Sequence, residues 1–307
     1  ISEVMFAKFH SIIYEQIEYL NRKSNQNAQD KKIEPSESEE VESLKPKILE
    51  KVLRFMQLFT EGHNLDLQNY LRYQTNSRNR YDMVEAVIEL LRTYYSNLVQ
   101  ENYENIVKCL DTLTEFVQGP CPENQLALID GKFFEVASGL LTKEIKKKKE
   151  EEEEEDAAKN KKKGRRNKRM KSLATLKEEK KKNRYKELEP WMLARLKYKV
   201  SILINSLLEM RKSDAIIKRI MRSLPIEIIK RNLIKIYKKY KKTYGDKYLM
   251  DCLGHAEGDP REDDEEKPEE YYELIIETGF NLYFLLTSYM EADIQDADIG
   301  RNSFWKS

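Results

Sequence analysis

Glycine and proline are scarce in this chain, at 10 and 8 of 307 residues. With so few breakers and 36% charged residues, long helices are favoured over a sheet. Cysteine is scarcer still. Cys109, Cys121 and Cys252 make an odd set of three, which argues against a disulfide framework and suits a reducing cytosol. Long apolar runs are missing as well. The best candidates, Ile202 to Leu208 and Phe280 to Leu286, are short and flanked by polar residues, so no membrane span is expected. No signal peptide is visible, and the first residue is Ile1 rather than Met, so the chain reads as a piece of a longer protein.

The common chemical signatures are absent too. There is no GxGxxG, no P-loop and no HExxH. His10, His63 and His255 lie far apart in the sequence. Cys252 and His255 have the spacing of half a zinc site, but the second half is missing. The run Asp296-Ala297-Asp298-Ile299-Gly300 lacks the spacing and the closing glutamate of a calcium loop. With no nucleophile-and-base constellation, the reading is a protein that is not an enzyme.

What is present is helical periodicity. Val4 to Leu20 repeats Met5, Phe9, Ile12, Ile13, Ile17 and Leu20 at three- and four-residue steps. Further helices are expected at Tyr81 to Val99, Tyr103 to Val117, Phe133 to Ile145, Leu188 to Met210, Asp214 to Leu224, Pro225 to Tyr240 and Tyr271 to Met290. Pro46 suits the first turn of a helix carrying Val52, Phe55, Met56 and Phe59 on one face. Phe55, Phe59, Leu110 and Leu203 are expected in the core. The resulting fold class is all-α, an armadillo-like helical solenoid of stacked antiparallel helices, with a closed bundle as the competitor.

The organisation expected is a leading helix over 1–22, a polar linker over 23–45, a first helical part over 46–145, a charged low-complexity insertion over 146–187, a second helical part over 188–292 with an acidic loop at 254–270, and a tail over 293–307. Net charge is near zero, with 55 basic and 54 acidic residues, but the charge is segregated. Lys146 to Lys149 precede six glutamates at 150–155, and a basic run follows from Lys161 to Lys171. No aromatic residue interleaves that basic run for base stacking, so a solvated insertion is favoured over a nucleic-acid site. Glu257 to Glu273 holds ten acidic and two basic residues. Tyr237, Tyr240 and Tyr244 alternate with lysines, which reads as a lysine-covered outer face or a lipid- or phosphate-facing one.

Two stretches stand out, LRFMQLFTEGHNLDLQNYLRYQ (Leu53 to Gln74) and LTEFVQGPCPENQ (Leu113 to Gln125). Each is a helix that ends at a glycine, Gly62 or Gly119, because glycine accepts the left-handed conformation at helix ends. Asn64 can cap the helix that follows the first corner, whose apolar face carries Leu65, Leu67 and Leu71. Pro120 and Pro122 stop the second. His63 is expected to hydrogen-bond the corner backbone. Thr60-Glu61 and Thr114-Glu115 lie near the two helix C-termini, where unpaired carbonyls and the helix dipole favour a cation. Stacked hairpins can bring the two glutamates to one edge, where a divalent cation would relieve their repulsion.

These stretches resemble the homology-associated segment shared by inositol trisphosphate receptors and ryanodine receptors. LKYKVSILINSLLEMRKSDAIIKRIMRSL (Leu196 to Leu224) and GFNLYFLLTSYM (Gly279 to Met290) continue the resemblance less strongly. The charged run 143–186 and the acidic run 257–273 depart from the family pattern. The resemblance implies an armadillo-like cytosolic module of a tetrameric calcium-release channel at the cytosolic face of the endoplasmic reticulum membrane. Its partners would be other domains of the same channel, its homotetramer neighbours and calcium. The resemblance further implies that Glu61 and Glu115 ligate an activating calcium ion, completed by a backbone carbonyl from a segment outside this chain. A soluble scaffold of a cytoskeletal or ciliary assembly, in cytoplasm or cilium, is the alternative.

Overall fold

The computed structural model describes residues 2–28, 39–75, 77–119, 121–144, 188–209, 215–244 and 270–298. Eleven α-helices occupy these residues: α1 (Ser2–Ala28), α2 (Glu39–Thr60), α3 (Leu65–Arg72), α4 (Met83–Ser96), α5 (Tyr103–Val117), α6 (Pro122–Asp130), α7 (Phe133–Thr142), α8 (Pro190–Ser206), α9 (Ala215–Ser223), α10 (Ile226–Tyr244) and α11 (Glu270–Asp298). No strand occurs among the described residues.

The helices stack in three rows. α1 packs on α4, α4 on α7 and α7 on α10. α2 packs on α5, α5 on α8 and α8 on α11. α3 packs on α6 and α6 on α9. Every third helix therefore occupies the equivalent place, giving three three-helix repeats and a final pair. Each amphipathic helix buries its stripe against the repeats on either side, as expected for a solenoid. At one of these contacts, a methyl group on Gly139 of α7 would sit 2.0 Å from Tyr95 Oη of α4, so only glycine allows that approach. The long stretches outside the described residues, 29–38, 145–187 and 245–269, all join the first helix of a repeat to the second. They therefore lead into the N-termini of second-row helices. The corners between second and third helices lie at the opposite ends of the second-row helices.

The core runs along the rows. Ile13, Met56, Leu91, Leu110, Phe116, Leu140, Leu196, Leu203, Ile217 and Leu282 are all buried in one continuous cluster. Several expected positions shift. Phe55 is 42% exposed and rests on Phe9 and Phe59 at the surface. Phe59 is only half-buried. The buried face of α2 turns instead through Leu49, Leu53, Met56 and Thr60. In α3 the buried residues are Gln68 and Leu71, while Leu65 is 41% exposed. Helix α1 runs on to Ala28 and α2 begins at Glu39, so helix fills both ends of the expected 23–45 linker. Pro46 consequently lies in the body of α2, not in its first turn. Helix α11 runs to Asp298, into the expected 293–307 tail. The short α6, opened by Pro122 at its first turn, had no counterpart among the expected helices. The expected insertion 146–187, Cys252, His255 and most of the acidic loop 254–270 lie outside the described residues.

Candidate functional site

The two corners occupy equivalent places in successive repeats, between α2 and α3 and between α5 and α6. The first is built as its sequence demands. Gly62 has φ 81° and His63 has φ 58°, so two successive residues turn through the left-handed region. Asn64 then caps α3, its Oδ1 accepting from the Leu67 amide at 3.1 Å. Thr60, fully buried, returns its hydroxyl to the carbonyls of Met56 and Gln57.

The second corner solves the end of α5 differently. A helix leaves its last carbonyls without intrahelical partners. Here side-chain amides supply most of them. Gln68 Nε2, from α3, donates to the carbonyls of Glu115 at 3.0 Å and Gln118 at 2.8 Å. Asn124 Nδ2 donates to Phe116 O at 2.9 Å and to Gln68 O at 3.0 Å. Gln125 Nε2 donates to Val117 O at 3.2 Å and Gly119 O at 3.0 Å. The Gln118 amide closes onto Thr114 O at 2.9 Å. Gly119 takes φ 84°, and a methyl group there would press on His63 Cβ at 3.0 Å. The His63 ring thus lies against Gly119 and makes no hydrogen bond to the corner backbone, contrary to the sequence expectation. The amides Gln68, Asn124 and Gln125, all buried, weld the first corner's helix to the second corner. Farther up the same helices, Gln57 Nε2 reaches Thr112 Oγ1 at 2.9 Å.

Glu61 lies near enough to Glu115 at this weld for its charge to act on it. Burial pushes the Glu115 carboxyl above its ordinary value; the carboxylates of Glu61 and Asp111 add to the rise, and His63 and Arg54 oppose it. The pair therefore has basic neighbours in His63 and Arg54. Arg54 is held by Gln57 Oε1 at 3.0 Å, and Asp111 by Lys199 at 2.8 Å. Glu61 is exposed and Glu115 half-buried.

The donor set suits a hard cation only in part. Carboxylate oxygens are the right type, and two further buried amide oxygens, Gln68 Oε1 and Asn124 Oδ1, accept no hydrogen bond. Calcium takes about 6–8 oxygens, however. Among the described residues no group of three or more His, Cys, Asp or Glu side chains is placed to hold a metal. Cys121, buried at the second corner, points its thiol at Asn69 Oδ1 at 3.7 Å, and burial raises its pKa, so it is a poor nucleophile.

With this geometry in place, the comparisons with known proteins bear on it directly. The family model described as RyR and IP3R Homology associated matches residues 43–141, a span that begins in α2 and ends in α7 and contains both corners. Residues 43–141 are thus similar to that family. The inositol 1,4,5-trisphosphate receptor itr-1 of Caenorhabditis elegans is 32% identical over 123 residues, a match that covers 36% of this chain and 4% of that receptor. The rows continue beyond the matched span through α8 to α11. No described helix is long and apolar enough to cross a membrane.

A cleft of about 560 Å³ opens beside the second corner, lined by Arg72, Asp82, Glu85, Glu123 and Asp130 over Ile88 and Leu126. Nothing in the sequence pattern marked it. Three of its four carboxylates are already matched by arginines, Asp82 and Glu123 by Arg72 and Asp130 by Arg219.

Proposed function

We propose that the chain is a non-catalytic helical module on the cytosolic face of an intracellular calcium-release channel in the endoplasmic reticulum membrane, and that it passes ligand and calcium signals toward the pore. The observation that supports this best is the meeting of Glu61 and Glu115 at two corners welded through buried amides. In this reading both carboxylates are calcium ligands, and a segment outside this chain completes the shell. A bound calcium ion would supply the positive charge that the clustered carboxylates lack. The chain's own part is to hold one glutamate on a rigid corner and the other on an open one, so that neutralising their repulsion draws the first corner onto the second. Because the first corner leads directly into α3, and α3 into the row that reaches α9, a small shift there has a packed path along the solenoid.

Exposed apolar stripes support a module that works inside a larger assembly. Ile48, Phe55 and Leu58 lie open on α2, and Phe280, Tyr283, Phe284 and Met290 on α11. Other channel domains and the neighbouring subunits of a homotetramer are the proposed partners for these faces. The test is channel opening against calcium concentration in the full-length protein, for wild type, Glu61→Gln and Glu115→Gln. Both substitutions are expected to move activation to higher calcium. Unchanged activation curves in well-folded variants overturn the assignment.

A further inference from the structure

Helix α10 ends the first row of the solenoid, and nothing follows it there among the described residues. Its inner face is ordinary: Ile226, Ile229 and Asn232 are buried, and it packs on α7 and α11. Lys239 turns inward too, bonding the Tyr271 hydroxyl and lying over its ring. The outer face is unlike any other in the molecule. The 19 residues of α10 carry seven basic residues against one acidic, Glu227. Lys230, Arg231, Lys235, Lys238 and Lys241 are exposed, and between them stand Ile234, 53% exposed, and Tyr237, 55% exposed. At 230, 231, 234, 237, 238 and 241 these side chains form one stripe at helical spacing. Lys235 also bonds Glu144, at the end of α7, which fixes the helix against its neighbour with the stripe turned out.

A fourth repeat is a poor occupant for this face. Covering it as α7 is covered would bury several charged side chains, which is costly. A planar anionic partner suits it better. At 1.5 Å rise per residue the stripe from Lys230 to Lys241 runs about 17 Å along the helix. The charges are lysines with one exception in the stripe, and lysine acts as a flexible point charge rather than as a fork for paired acceptors. The helix is convex, and the cleft noted above is lined by other elements. An exposed aliphatic and an aromatic side chain flanked by lysines are the features of a helix lying in a lipid interface.

We propose that the outer face of α10 docks on an anionic membrane surface, with Ile234 and Tyr237 entering the headgroup layer and Arg231 and Lys238 meeting the lipid phosphates and carboxylates. This face is separate from the paired corners, and the proposal stands whether or not they bind calcium. The test is cosedimentation of the whole chain with vesicles of phosphatidylcholine alone or with phosphatidylserine added. Binding is expected only with phosphatidylserine, and weakened by salt. Reversing Arg231 and Lys238 to Glu together is expected to reduce partitioning at least ~10-fold, since each cation near such a surface is worth roughly fivefold. Because the basic run Lys161 to Lys171 also attracts anionic lipid, a second readout is specific to the helix. Tyr237→Trp is expected to add a blue-shifted emission on serine-containing vesicles that wild type lacks, quenched by brominated lipid. Wild-type partitioning in the double reversal, or no added blue-shifted emission from the vesicle-bound Tyr237→Trp variant, overturns the proposal. So does binding that appears only when the acidic residues of 257–269 are neutralised, because the chain's own acidic run would then be the occupant. Capture by an acidic peptide such as polyglutamate with no binding to vesicles likewise overturns it.

Discussion

The two corners end equivalent helices in adjacent repeats, yet they finish them in opposite ways. At the first, Glu61, Gly62, His63 and Asn64 are all exposed, and the main side-chain device is the Asn64 cap. At the second, three buried amides serve five consecutive carbonyls from Glu115 to Gly119. Buried backbone oxygens must find donors, whereas exposed ones have water. The second corner therefore bears structural weight, and the first can move at little cost.

That contrast can be broken from either side. The largest effect is expected for Asn124→Ala, which strips donors from Phe116 O and Gln68 O and leaves both buried; urea unfolding should show a loss of about 2–4 kcal/mol. Asn64→Ala, the matching change at the exposed corner, should cost only about 1 kcal/mol. Equal costs would mean the corners are alike. Next come the glycines. Gly119→Ala must strain a left-handed residue and also crowd His63, while Gly62→Ala meets open space and only the backbone strain. Thermal melting should place Gly62→Ala about 1–2 kcal/mol below wild type, and Gly119→Ala lower still.

The smallest effect sharpens the comparison through pH. The Glu115 carboxyl binds its proton more tightly in the fold than in the unfolded chain. Stability from that proton is present below the ordinary glutamate value and is lost as pH rises through the raised one. Glu115→Gln should therefore melt slightly above wild type at pH 7 without calcium, by about 1–2 °C, and match it near pH 4. The effect is small because the carboxylate is only half-buried and well screened. A melting temperature below wild type at pH 7 would show that the carboxylate is held by its basic neighbours instead of being strained by its acidic ones.

Helix positions were largely legible from periodicity. The bounds of α5 match the expected 103–117, and Leu110 and Leu203 are buried as their spacing required. The faces of α2 and α3 were less legible. Phe55 and Leu65 look like core residues by type, but the direction from which α5 and α4 pack leaves them outside. Hydrophobicity says that a stripe is buried and not which edge of a broad stripe wins. The motif amides gave no helical signal, since Gln68, Asn124 and Gln125 read as polar surface. Only the approach of α3 and α6 to the end of α5 turns them into donors for otherwise orphaned carbonyls.

By itself the sequence determined that this chain is helical, where most of its helices lie and where Gly62 and Gly119 stop two of them. Those are local matters of propensity, periodicity and backbone freedom. The three-row stacking was decided by the tertiary structure, because no sequence period announces it. The convergence of Glu61 and Glu115 belongs there too: they are 54 positions apart in the chain, and only the packing of α2 on α5 brings their charges within reach of each other.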